Sequence, residues 1–195
     1  MKIYVIRHGI TQLNKKKIVN GQLDEPLAPE GFEQAKAIVP LIPKSVTYIY
    51  TSPLLRARQT AEIIKTKLHL PVSIQDELTE IHMGSLAGKS WENMESGLDL
   101  KKKHRTVQFD YRSYGGESVE NVKERVITFL KKINNKHNDY EALIVTHGGI
   151  IRLLHLLEKG EVVYETEEHV TLLTFDIDRI LRNSKMIRQI LYFRT

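Results

Sequence analysis

The stretch Ala142-Leu143-Ile144-Val145-Thr146-His147-Gly148-Gly149-Ile150-Ile151-Arg152-Leu153-Leu154-His155-Leu156-Leu157 decides the fold class. Its first five residues are apolar or β-branched and read as a strand. Ile150 to Leu157 reads as a helix, and two glycines stand between them. Working outward, the same alternation recurs. Lys2 to Ile6 reads as a buried strand. Glu30 to Ile42 reads as a helix with Phe32, Ala35, Val39 and Ile42 on one face. Val46 to Thr51 is a β-branched and aromatic strand. Leu54, Ala57, Ala61, Ile64 and Leu68 step by three and four, as an amphipathic helix does. Val72 to Ile74 is a short strand, and Val119, Val122, Val126, Phe129 and Ile133 repeat the helical step. Val170 to Phe175 and Ile187 to Phe193 are further strand candidates. This alternation predicts an α/β domain: a three-layer α/β/α sandwich around a mainly parallel central sheet.

The 195 residues are long for one small domain and short for two, so a single domain over 1–195 is expected. Hydrophobic residues at 41% with charged residues at 27% exclude wholesale disorder. No apolar run approaches the ~18 residues of a membrane span, and no signal-peptide core fits the start, so the expected compartment is the cytoplasm. The absence of cysteine excludes disulfides, thiolate metal sites and cysteine nucleophiles together. A net charge of +5 favours an acidic partner, and phosphorylated small molecules fit as well as nucleic acid does.

Open α/β sheets bind ligands at the carboxyl ends of their strands. Arg7, His8 and Gly9 follow the first strand. Thr51, Ser52 and Pro53 follow the second, with Arg56 in the first turn of the next helix. His147, Gly148 and Gly149 follow the Ala142–Thr146 strand. Two histidines and two arginines therefore emerge at one sheet edge. Guanidinium groups match phosphate oxygens bidentately, and an imidazole beside them can attack phosphorus. The combination reads as phosphoryl transfer with no metal and no cofactor. His69, His137 and His155 read as surface or packing residues, and Trp91 as packing within an insertion.

These motifs are similar to those of the histidine phosphatase superfamily, the group of cofactor-dependent phosphoglycerate mutases and many small phosphatases. Arg7-His8-Gly9 resembles its nucleophile motif, with Thr11 and Asn14 behind it. Gly21, Asp24, Pro26, Leu27 and Gly31 follow in order. Ser52 to Ala61 resembles the second signature, and Leu78-Thr79-Glu80 with Gly84 and Gly88 the acid motif. Gly115-Gly116-Glu117-Ser118 and Val145 to Gly149 complete the set, up to about Arg152. The resemblance implies a phosphoglycerate mutase-like fold and a role for each residue. His8 takes the phosphoryl group, with Nδ1–H held by a backbone carbonyl and Nε2 left to attack. Arg7, Arg56 and His147 clamp the phosphate oxygens. Asn14, Asn20, Gly21 and Gly148 bind substrate. Glu80 protonates the leaving oxygen and then activates water, with Glu77 its rival for that role.

Ala87 stands where many small phosphatases of the family carry a second Glu, and Glu80 to Leu86 is closer to the mutase form, with His82 in place. His169-Val170-Thr171 stands where Asn-x-Ser/Thr is common. The function implied is a metal-independent phosphatase acting on a small phosphomonoester, as a monomer or homodimer, without nucleic-acid or membrane partners. The alternative is a cofactor-dependent phosphoglycerate mutase, and the remote one a non-catalytic phosphate-binding domain. Against the mutase, the stretch between Glu80 and His147 is shorter than the insertion mutases usually carry there, and the Lys and Arg pair of that insertion has no obvious counterpart. From Leu78 to Tyr114 the periodicity fades, and about 82–114 reads as a lid-like insertion. It holds Lys101-Lys102-Lys103-His104-Arg105. This run and Lys15-Lys16-Lys17 are expected at the mouth of the site, where they favour a substrate with a second anionic group.

Overall fold

The structure, a computed structural model, describes residues 1–136, 141–161 and 168–186. Five strands form one sheet in the order β3-β2-β4-β1-β5: β1 (Lys2–Arg7), β2 (Val46–Thr51), β3 (Val72–Ile74), β4 (Glu141–Thr146) and β5 (Leu173–Asp176). The first four run parallel, and β5 closes the edge antiparallel to β1. Side chains alternate across the sheet, as a strand period of two requires. Ile3, Val5, Tyr50, Ala142 and Ile144 enter one apolar core; Tyr4, Ile6, Ile49, Leu143 and Val145 enter the other.

The helices divide between those faces. α3 (Leu55–Leu68) covers the second core through Ala57, Ala61 and Ile64, and α2 (Pro29–Ala37) packs against α3. α5 (Val119–Lys136), α6 (Gly148–Lys159) and α7 (Ile177–Met186) pack on the first. α6 is buried along nearly its whole length, and Gly160 ends it in the left-handed region. The short α1 (Gln12–Lys15) follows the first strand, and α4 (Gly97–Arg105) lies in the insertion. Among the described residues no helix is long and apolar enough to cross a membrane.

The sandwich and its parallel sheet agree with the sequence pattern; several boundaries differ. The helix expected over Glu30 to Ile42 stops at Ala37 and passes into a 3₁₀ turn over Val39–Leu41. Pro40 is the cause, because it has no N–H to give back and clashes with a preceding turn. The strand expected from Val170 begins only at Leu173, after Val170 itself adopts a left-handed φ of 58°. The candidate strand Ile187 to Phe193 and His137 lie outside the described residues. The insertion is less irregular than its weak periodicity suggests. Its basic run forms the C-terminal half of α4, where cations face the negative end of the helix dipole.

The strand order sets the site. β2, β4 and β1 are neighbours, so their carboxyl ends lie side by side. The ladder continues one residue past each outer strand: His8 N–H donates to Thr146 O at 3.0 Å, and Ser52 N–H to Val145 O at 3.1 Å. His8, His147 and Ser52 therefore leave the sheet together.

Candidate active site

His8 is enclosed, with 2% of its surface exposed. Its Nδ1 lies 2.7 Å from Gly9 O, which can only accept, so Nδ1 carries the proton and Nε2 keeps its lone pair. That lone pair is met by Arg56 Nε–H at 3.2 Å. Burial, with His147, Arg56 and Arg7 around it, holds the His8 imidazole well below its usual pKa, so the ring is neutral at pH 7. Arg56 is itself buried. Its other nitrogens donate to Leu23 O at 2.6 Å and Gly21 O at 2.8 Å, which pins the guanidinium plane against the nucleophile loop. Gly21 thus meets Arg56 through its carbonyl.

His147 is fully enclosed, its ring centroid 5.1 Å from that of His8. Its Nε2 is 2.7 Å from Ser52 Oγ, and Nδ1 has no hydrogen-bond partner among the described residues. Burial first, then Arg56 and Arg7, keeps it neutral as well. It does not line the cavity; its ring lies against that of His8.

The cavity in front of His8 has a volume of about 290 Å³. Arg7, His8, Asn14, Asn20, Gly21, Arg56, Glu80 and Gly148 all line it. Eight of the nine candidate residues are therefore brought to one hollow, and His147 lies against the His8 ring outside its wall. Asn14 caps α1, its Oδ1 accepting from Thr11 N–H and Thr11 Oγ–H. Asn20 Nδ2–H donates to Thr11 Oγ at 3.1 Å. Glu80 reaches the cavity beside α6: Oε1 accepts from Ile81 N–H at 3.0 Å and Oε2 from Gly149 N–H at 3.3 Å. A Cβ at position 149 would overlap Glu80 Oε1 and Ile81 Cδ1, so only glycine lets the carboxylate approach so closely. Glu77 is not in the cavity wall.

Residues outside the sequence motifs complete the wall. Trp91, Lys101, His104, Arg105 and Arg152 line it too. Arg152 Nη2–H donates to His104 Nε2 at 2.6 Å, and His104 Nδ1 lies 3.0 Å from Tyr111 Oη. Burial and the Arg152 and Arg7 guanidinium groups hold His104 well below its usual pKa. Arg152 had a readable signal, since it falls four residues after Gly148 on the same helix face. His104 had none, being one member of a basic run. His169 was legible only as a departure from a pattern. Its Nδ1–H donates to His8 O at 2.8 Å, and burial with nearby Arg7 lowers its pKa to about 4.

The basic runs separate. Lys101 and Arg105 reach the cavity, whereas Lys15 pairs with Glu30 and Lys103 with Asp99. Lys15, Lys16 and Lys17 are not in its wall, contrary to the expectation for that run; of the second run Lys101, His104 and Arg105 are, and Lys102 and Lys103 are not, because α4 turns only one face inward. His155 is buried against Phe175, and His69 caps α3 in the left-handed region. Among the described residues no group of three or more His, Asp and Glu side chains is placed to hold a metal ion.

Comparison with known proteins agrees with this arrangement. Residues 3–166 match the family described as the histidine phosphatase superfamily (branch 1). The chain is similar to phosphoglycerate mutase-like protein 4 of Arabidopsis thaliana, 32% identical across 79% of this chain and 69% of the relative. It is also similar to the metal-independent phosphoserine phosphatase of the same plant, 33% identical across 80% of this chain and 67% of that one. Among solved structures, YhfR of Bacillus stearothermophilus superposes with a TM-score of 0.77 at 26% identity, covering 89% of both chains.

Proposed function

Since the chain belongs to the histidine phosphatase superfamily, we propose that it hydrolyses a small phosphomonoester metabolite through phosphohistidine at His8, without a metal. The observation that carries this is the state of His8. It is enclosed, neutral and held through Nδ1–H by Gly9 O, with its Nε2 lone pair facing the Arg56 donor. The lone pair forms the N–P bond as the P–O bond to the leaving group breaks, and Glu80 gives the leaving oxygen its proton. Arg7 and Arg56 hold the phosphoryl oxygens and stabilise their charge in the transition state. Water then attacks phosphorus, the Glu80 carboxylate takes a proton from it, and the N–P electrons return to Nε2. His147 packs against the His8 ring and shapes that side of the clamp. Asn14, Asn20, Gly21 and Gly148 form the remaining wall.

The cavity of about 290 Å³ is at the small end of ligand pockets, which run about 300–1,000 Å³, and suits a small metabolite. The reading includes a cytoplasmic location and neither nucleic acid nor membrane as partner. Phosphorylated sugars, glycerates, amino acids and nucleotides, offered with excess chelator, test it. At least one small ester is expected to release inorganic phosphate at a rate the chelator leaves unchanged. A rate abolished by chelator overturns the reading. Transfer of the phosphoryl group from one hydroxyl to another without release puts the mutase, named among the relatives, in its place.

Lys101 and Arg105 support a preference for substrates with a second anionic group. Lys101→Ala is expected to raise KM for a doubly anionic ester about two- to fivefold at low salt, the scale of a partly exposed ion pair. A singly anionic ester should change less, and the gap should narrow as salt screens the charge. Equal effects on both esters would remove Lys101 from substrate recognition.

A further inference from the structure

We propose that Arg125 is a positioning residue for Glu80, the clamp that fixes where the proton donor stands; the inference rests on the role assigned to Glu80 above. Glu80 lies on a segment with little regular structure. Only a 3₁₀ turn over Asp76–Leu78 precedes it, and the chain runs irregularly to Met83. Nothing in a sheet or helix ladder holds these carbonyls, so other donors must.

Arg125, on the first half of α5, supplies three of them, while Gln22 Nε2 also donates to Glu80 O at 2.9 Å and Thr146 Oγ to Leu78 O at 2.8 Å. Nη1 donates to Glu77 O at 2.6 Å and to Thr79 O at 2.7 Å. Nη2 donates to Glu80 O at 3.4 Å and to Glu117 Oε2 at 3.1 Å. Nε donates to Glu117 Oε1 at 2.9 Å. All five guanidinium donors are thereby used. Glu117 completes the clamp from the other side, since its Oε2 also accepts His82 N–H at 2.8 Å and its own N–H donates to His82 O at 2.8 Å. The backbone is held at residues 77, 79, 80 and 82, on both sides of the Glu80 side chain. Gly116 lets the two segments approach, because a Cβ there would overlap His82 O and Tyr111 Cβ.

The arrangement needs this pair in particular. Lysine offers a point charge and three donors on a flexible stem, and cannot bridge three carbonyls and a carboxylate in one plane. The pair is only partly buried, and such an ion pair is weak evidence of stability. Its geometry instead serves the acid, whose carboxylate must sit within hydrogen-bond reach of the leaving oxygen. Misplacement by about 1 Å can cost about a hundredfold in rate.

The test compares Arg125→Lys, Glu117→Gln and Glu80→Gln by single-turnover cleavage of two esters: the best alkyl phosphomonoester of the panel and nitrophenyl phosphate, whose leaving group needs little protonation. Arg125→Lys is expected to slow alkyl-ester cleavage about tenfold, with nitrophenyl phosphate nearly unaffected and KM unchanged for both. Glu117→Gln, which keeps the side chain's shape, should show the same pattern to a smaller extent and serves if Arg125→Lys does not fold. Added to Glu80→Gln, either change should slow cleavage no further, because the group it positions is gone. Equal slowing of both esters, a rise in KM alone, or a further loss in the Glu80→Gln background overturns the inference while leaving Glu80 as the acid. A Glu80→Gln variant indifferent to the leaving group overturns the acid assignment, and this inference falls with it.

Discussion

His8→Ala is expected to lower turnover by about 10⁴-fold or more, the scale on which loss of a covalent nucleophile acts in other enzymes. No neighbour can take over. His147 is fully enclosed with Nε2 tied to Ser52, and neither it nor His169 lines the cavity where the ester must sit. Truncation also removes the acceptor for Arg56 Nε and the donor to Gly9 O. Each such unmade hydrogen bond costs about 1–3 kcal/mol when buried, so thermal unfolding must accompany the assay. Arg56 keeps its two carbonyl anchors at Gly21 and Leu23. Inorganic phosphate should therefore still bind the folded variant within a few-fold of the parent, as titration calorimetry would show. Activity within tenfold of the parent would remove His8 from the reaction.

Glu80→Gln is expected to slow cleavage of an alkyl phosphomonoester about 10²–10⁴-fold while KM changes little, since the amide keeps the shape but cannot pass a proton. The loss should shrink for nitrophenyl phosphate. The two carboxylate oxygens accept from Ile81 N–H and Gly149 N–H. An amide offers one oxygen only, so its NH₂ faces one donor, a local cost that thermal unfolding will register. Glu77→Gln is the control. Glu77 touches the network only through its backbone carbonyl, which the substitution preserves. A large, leaving-group-dependent loss in Glu77→Gln but not in Glu80→Gln would assign the acid to the other carboxylate.

The sheet was legible because its strands are short apolar runs set between helical steps, as at Val46–Thr51 and Leu55–Leu68. The clustering of His8, Arg56 and His147 was legible because each follows a strand, and ligands gather at that edge. What the sequence hid are contacts between distant segments. Local periodicity carries no sign of α4, since Leu98 is exposed and charge rather than an apolar stripe marks the helix. Nor does it show that His104 meets Arg152, or that Arg125 holds Glu77 and Thr79 by their carbonyls. A backbone acceptor has no residue type, so no motif announces it. The depth of His147 was hidden for a similar reason. A histidine after a strand can face the cavity or pack against its neighbour, and the contact with Ser52 Oγ, distant in sequence, decides between them.

The passage of the phosphoryl group through His8 is tested most directly by trapping. Enzyme mixed with radiolabelled ester and chelator is quenched in alkali, digested and mapped, alongside the Glu80→Gln variant with nitrophenyl phosphate, in which the second step is slowed more than the first. The account predicts one labelled peptide, the one holding Arg7-His8-Gly9, with label retained in base and lost in acid as an N–P bond requires. Label that survives acid, or that appears undiminished in His8→Ala, would contradict it.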